Sequence, residues 1–183
     1  MPFYIDKENE WQNADIRVMI FGQETNDWGD FNTDIDLTDG ASIHKHIKPI
    51  LDYDDKFYNG GECWSYGGQF WNGFSKFRTM FEEKFSNKKI KYIWNNIVKI
   101  GKSGEKGFPP GYIIYETERK HFSVIKDELQ IIKPNVVLFL TGPNYDGVVT
   151  DNFRQLKYTA LSPFSARELS KVRLSETAQR IYH

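Results

Sequence analysis

The chain has 183 residues, 39% of them hydrophobic and 16% aromatic, which is enough for one core; no Pro/Gly/Ser-rich linker marks a second, so one domain over 1–183 is expected. A formal net charge of −1 excludes a global positive field, and any contact with nucleic acid must rest on a local basic patch. The single cysteine, Cys63, excludes an internal disulfide and any four-cysteine zinc or iron–sulfur site.

The first residues carry Asp6, Lys7, Glu8 and Glu10 and no apolar core, so no signal peptide is expected. No apolar run approaches the length of a membrane span, and a reducing, cytoplasmic compartment without membrane association is the default. Residues 16–21 (IRVMIF) have the length and β-branched content of a buried strand. The run is expected to stop at Gly22, where Gln23, Glu24 and Asn26 follow. In an open α/β sheet, ligands bind at the carboxyl ends of strands, so a carboxylate there stands on a rigid element beside a cleft. As a bare pattern, GQETND is also an ordinary polar turn.

A polar loop to about residue 40 precedes an amphipathic helix over 41–53, with Ile43, Ile47, Ile50 and Leu51 on one stripe. His44 and His46 fall on different faces of that helix, which is poor spacing for a shared metal. Residues 58–69 read as a Gly- and aromatic-rich loop. Residues 70–85 then give a helix in which Trp71, Phe74, Phe77, Phe81 and Phe85 recur at spacings of three and four, as a core stripe does.

Residues 92–100 (YIWNNIVKI) read as a second buried strand interrupted by Asn95 and Asn96. An amide within an apolar strand must find partners or costs roughly 1–3 kcal/mol, so it is either knitted into the protein or kept for a ligand. A Gly/Pro loop follows, then a helix over 116–132 ending before Pro134. Residues 135–141 (NVVLFLT) form the clearest strand and close into Gly142-Pro143-Asn144-Tyr145. A helix from about 146 to Leu156 and a short extended piece at 158–161 come next. The last third is locally basic, with Arg167, Lys171, Arg173 and Arg180, and 178–182 can form one more strand ending on His183.

Strands alternating with helices imply a three-layer α/β/α sandwich with a central, mostly parallel sheet of about four strands. Its carboxyl edge then gathers Gly22-Gln23-Glu24, Asn95-Asn96, Thr141-Gly142 and His183.

This ordered set resembles the uracil-DNA glycosylase superfamily. Gly22-Gln23-Glu24 matches the motif that carries the water-activating residue, and Trp28-Gly29 is similar to the aromatic-Gly that follows it in the single-strand-selective branch. Asn95 or Asn96 falls where the base-reading Asn stands, LFLTGPNY (138–145) is similar to the third strand, and Tyr182-His183 is similar to the start of the His-Pro motif. Glu24 stands where the family has Asp or Asn, one methylene shorter. Thr25 and Asn26 replace the Pro and Tyr of the best-known branch, and the iron–sulfur branches do not fit one cysteine.

The resemblance implies a uracil-DNA glycosylase-like fold and hydrolysis of the N-glycosidic bond of a damaged base in DNA. Glu24 would orient water beside an oxocarbenium-like sugar, and His183 would stabilise the leaving base. Asn95 or Asn96 would read the base edge, and Trp28 or Phe31 would stack on it, with Tyr145 a weaker candidate. Gln23, Asn26 and Gly142 would complete the pocket. No metal or other cofactor is called for. The expected partner is single-stranded or damaged DNA, or a nucleoside, and the expected state is a monomer. Two other classes stay open: a catalytically silent nucleic-acid or nucleotide-binding module of the same fold, and a small-nucleoside hydrolase.

Overall fold

A computed structural model describes residues 9–26, 36, 38–102, 112–153 and 156–174. Strand β1 (Ile16–Asn26) is the centre of a three-stranded parallel sheet, with β2 (Ile90–Lys102) on one edge and β3 (Val136–Phe139) on the other. Among the described residues, the α-helices between β1 and β2 in the chain are α1 (Gly40–Asp54), α2 (Cys63–Tyr66) and α3 (Gly68–Lys84). Helices α4 (Tyr112–His121) and α5 (Ile125–Ile132) connect β2 to β3, and α6 (Asp146–Phe153) follows β3. Strands β4 (Leu156–Ala160) and β5 (Ser170–Leu174) form a separate antiparallel pair. The chain is therefore α/β. The fourth strand of the parallel sheet, expected over 178–182, lies outside the described residues. Among the described residues, no helix is long and apolar enough to cross a membrane.

Alternation along β1 divides the core in two. Val18 and Ile20 pack with Phe57, Cys63, Trp71 and Phe74 from the α1–α3 side. Met19 and Phe21 pack with Ile125, Tyr145, Val148, Val149 and Phe153 from the α4–α6 side. All four β1 residues are fully buried, and at ~1.5–3 kcal/mol each they contribute roughly 6–12 kcal/mol. The aromatic stripe of α3 is core, as its spacing predicts: Trp71 and Phe74 are buried, and Phe77, Phe81 and Phe85 are partly so.

The ends of the sheet are clipped. At the amino end, the Asp15 and Ile16 amides donate to the Lys89 carbonyl, and the Lys89 amide donates to Asp15 Oδ2. The Arg17 amide donates to Asn135 Oδ1 at 2.9 Å, and the Asn135 amide returns a bond to the Arg17 carbonyl.

Four sequence expectations need correction. β1 does not stop at Gly22 but continues to Asn26, because β2 is long enough to pair with its polar half: Gly22 opposes Asn96 and Glu24 opposes Val98. Residues 58–69 are not a plain loop, since a five-residue π-helical turn (Asp55–Asn59) extends α1 and α2 follows it. The helix expected to reach Leu156 ends at Phe153, and Leu156 opens β4. The helix expected over 116–132 is broken between His121 and Ile125. The reason for this break is electrostatic. In one straight helix Glu118 and Glu128 stand about 15 Å apart along the axis. The break lets both carboxylates reach the Lys99 region of β2: Glu128 Oε2 pairs with Lys99 Nζ, and Glu118 Oε1 accepts from the Ile100 amide.

Asp54, at the end of α1, is a buried carboxylate, and its pKa is pushed up to about 6 by burial first and the neighbouring Asp55 second. Because the folded value is raised, its contribution to stability is full below the unfolded value near 3.8 and is lost as pH rises through about 6. At about 1.4 kcal/mol per unit this is at most on the order of 3 kcal/mol. The Asp54→Asn variant is expected to gain stability at pH 7 and little at pH 4. Urea unfolding of both proteins at the two pH values checks this; equal differences at both would refute it.

Candidate functional site

The strand order β2-β1-β3 reverses direction at β1: the chain leaves it for one side and returns on the other. Such a reversal opens a crevice between the carboxyl ends of the central strand and the strand added later, here β1 and β3. Gln23 and Glu24 stand on one side of it, Thr141 and Gly142 on the other. The Leu140 amide donates to the Phe21 carbonyl, and Gln23 Nε2 donates to the Thr141 carbonyl at 2.9 Å, so the two ends are tied together. Gly142 has φ +75°, in the region that favours glycine, and there the chain turns into a 3-10 turn, Pro143–Tyr145.

That turn brings Tyr145 back to the crevice. Its ring is fully buried, and its hydroxyl lies close enough to the partly exposed Glu24 carboxylate to feel its charge. Burial, then the charge of Glu24 and the hydrogen bond to it, push the phenol up to about 12. Tyr145 therefore stays protonated in neutral solution and can donate to the carboxylate throughout.

On the β2 side the two asparagines part company. Asn95 is fully engaged: its Nδ2 donates to Glu128 Oε2 at 2.9 Å, and its Oδ1 accepts from Lys99 Nζ at 2.9 Å and from the Asn96 amide at 2.8 Å. Lys99 and Glu128 are themselves buried and 2.8 Å apart, with Lys99 5.7 Å from the centre of the Phe21 ring. Burial lowers the Lys99 pKa, Glu128 opposing it, and burial raises that of Glu118. β2 bulges between Val98 and Lys102, the stretch that carries Lys99 and Ile100 into this network, and the sequence neighbours Ile97 and Val98 both pack in the α4–α6 core.

Asn96 is different. It is 7% exposed, and its side-chain amide makes no hydrogen bond to another described residue. Its Oδ1 lies over Gly22, where a Cβ would come within 2.7 Å of it and within 3.1 Å of the Phe70 ring. Gly22 is thus the residue that leaves room for an amide and an aromatic side by side at the end of β1. Phe70 was missed in the sequence because it sits one residue off the Trp71–Phe74 stripe. That offset, an aromatic beside a core stripe at a helix start, is the signal that was present.

Of the expected site residues, Gln23, Glu24 and Gly142 flank the β1/β3 crevice, and Asn96 lies across β1 on β2, beside Gly22 and Phe70, while the Asn95 side chain is directed into the Lys99–Glu128 network. Asn26 ends β1, its backbone paired with Lys102. Trp28, Phe31 and His183 lie outside the described residues. Among the described residues, no group of three or more His, Cys, Asp or Glu is placed to hold a metal ion. Cys63 is buried, and burial pushes its thiol up to about 11, so it is a core residue rather than a nucleophile.

No family model, curated protein or solved structure matches the chain. The site is read from its own chemistry.

Lys99 and Glu128 form a pair that cannot be halved cheaply. Lys99→Met is expected to destabilise by about 3–5 kcal/mol, since it leaves a buried carboxylate uncompensated, whereas Lys99→Met/Glu128→Leu is expected to recover most of that loss. Denaturant unfolding of the two single variants and the double variant gives the coupling; additive losses would refute it.

Proposed function

We propose that this chain is an N-glycosyl hydrolase of the uracil-DNA glycosylase type, a three-layer α/β/α protein that releases a base from DNA. One observation carries the reading. At the carboxyl half of β1 a carboxylate stands beside a buried phenol on the β3 side, and one rung back, on β2, an amide with no hydrogen-bond partner among the described residues lies beside an aromatic ring. Glycosidic cleavage needs both functions, since the sugar becomes cationic as the base departs and the base must be held by its edge.

In this reading Glu24 supplies the anion that faces the developing oxocarbenium ion and accepts the proton of the attacking water. Tyr145 is a positioning residue. Its O–H donates to one carboxylate oxygen and leaves the other for water. Asn96 offers an acceptor and a donor from one planar group, which matches the paired donor and acceptor of a pyrimidine edge. Phe70 gives the base a face to rest against, and Gln23, tied to the Thr141 carbonyl, keeps the crevice at fixed width. His183, at the end of the chain, is assigned the leaving base, and Trp28 and Phe31 remain assigned to its far face. The partner is DNA carrying a damaged or deaminated base, bound by a monomer.

Base release from a uracil-containing single-stranded oligonucleotide tests the proposal. Glu24→Gln is expected to lower release at least about a hundredfold, as loss of a positioned base does. Release at the wild-type rate in Glu24→Gln would overturn the mechanism, and tight binding without release by the wild type would make the protein a binding module. Tyr145→Phe is expected to lower kcat roughly tenfold with KM unchanged, the effect of losing one hydrogen bond to a charged group. A change in KM alone would remove Tyr145 from the reaction.

A further inference from the structure

Strands β4 and β5 form a two-stranded ribbon whose two faces differ in kind. Leu156 packs against the α4–α6 core, and the Tyr158 hydroxyl is buried, so one face is turned to the body. The register sets Lys157 opposite Arg173 and Thr159 opposite Lys171, which puts these four residues on the other face, and all four are exposed. Like charges directly opposite on paired strands are destabilising, yet that face carries three cations and no acid. None of Lys157, Arg167, Lys171 and Arg173 takes part in an ion pair with another described residue. The single carboxylate of the ribbon, Glu168, is occupied at the turn, accepting from the Ser165 amide and hydroxyl at 2.9 and 2.8 Å.

The connection between the strands adds a second feature. Leu161, Phe164 and Leu169 are 42%, 48% and 46% exposed, an apolar tip on a cationic ribbon. Residues 156–174 hold four cations against one carboxylate in a chain whose net charge is −1, so the remainder of the protein is acidic. A surface built for solvation alone intersperses the two signs. A surface that is cationic along its strands and aromatic at its tip fits a polyanion with stackable faces.

We infer that the β4–β5 ribbon is a docking surface for single-stranded nucleic acid, with Lys157, Lys171 and Arg173 on successive phosphates and Phe164 stacked on an unpaired base. Charge complementarity names the occupant's backbone, and the exposed aromatic at the tip favours a single strand, whose bases are open, over a duplex. The inference rests on the proposed function only in sharing DNA as the partner; it does not depend on any chemistry at Glu24.

The test is therefore binding rather than cleavage. Fluorescence anisotropy of the full chain with a labelled, uracil-free oligothymidylate is followed across a salt series. Removing three phosphate contacts in Lys157→Gln/Lys171→Gln/Arg173→Gln is expected to weaken binding and to reduce the slope of log K against log salt by about 2. Phe164→Ser is expected to weaken binding roughly tenfold with the slope unchanged. Both sets of changes are on exposed side chains, and circular dichroism with a thermal midpoint within a few degrees of wild type verifies the fold. Unchanged affinity and slope in the triple variant would overturn the inference and leave the cations as a guard against edge-to-edge aggregation. Absence of oligonucleotide binding by the wild type, or preference for phosphatidylserine vesicles over the oligonucleotide, would overturn it equally. Loss of base release in Glu24→Gln with ribbon binding intact separates the two proposals.

Discussion

β1 is hydrogen-bonded along both edges and covered on both faces, and the rest of the structure follows from that confinement. A strand so placed has to be apolar wherever helices lie over it, which is why Val18, Met19, Ile20 and Phe21 are all fully buried. It also has to become polar where the helices no longer cover it. The change falls at Gly22, one residue after the last core side chain. From there to Asn26 the backbone is still held by β2, so the polar side chains of Gln23 and Glu24 are displayed from a backbone that pairing has already fixed. A loop would deliver the same residues with more freedom and less positional accuracy.

The network around Lys99 belongs to the same logic. Glu118 and Glu128 sit on two different helices of the α4–α6 side, Asn95 and Lys99 on β2, and Phe21 on β1. A buried ion pair gives little net stability against an apolar replacement, but it is intolerant of misplacement. Here it sets the register of two helices against the sheet directly behind the crevice. It also explains why one of two adjacent asparagines is committed to structure while the other is not. On a strand, neighbours point to opposite faces, and Asn95 meets the carboxylates while Asn96 meets Gly22 and Phe70.

What could be read in the sequence was local. The apolar runs that became the first part of β1 and β3, the aromatic stripe of α3 and the amphipathic α1 all declare themselves within a dozen residues, because burial on one or two faces writes a period into the chain. What could not be read depended on partners far away. Residues 22–26 look like a turn until β2 is placed beside them. The break between α4 and α5 has no strong breaker in the sequence, and its cause is a lysine on β2 more than twenty residues before it. The site divides in the same way. Glu24 at a strand end was legible from the motif, whereas the meeting of Glu24 with Tyr145 requires β3 to lie next to β1. The choice of Asn96 over Asn95 requires knowing which helix lies on which face.

The charge distribution unites the crevice and the ribbon. Glu24 is an anion at the crevice mouth and repels a phosphodiester at short range, so in the proposed reaction the part of a DNA strand that approaches it must be the neutral base and the sugar whose charge grows positive. The backbone then has to be held elsewhere, by cations set apart from the carboxylate. Lys157, Lys171 and Arg173 meet that requirement on a separate two-stranded sheet, while the acidic remainder of the chain disfavours other contacts with a polyanion. A uniformly basic protein would bind the strand more tightly and in more registers. In the proposed reaction, a near-neutral chain with a local excess of cations on one ribbon gives up affinity for orientation, and orientation is what a single carboxylate beside a glycosidic bond needs.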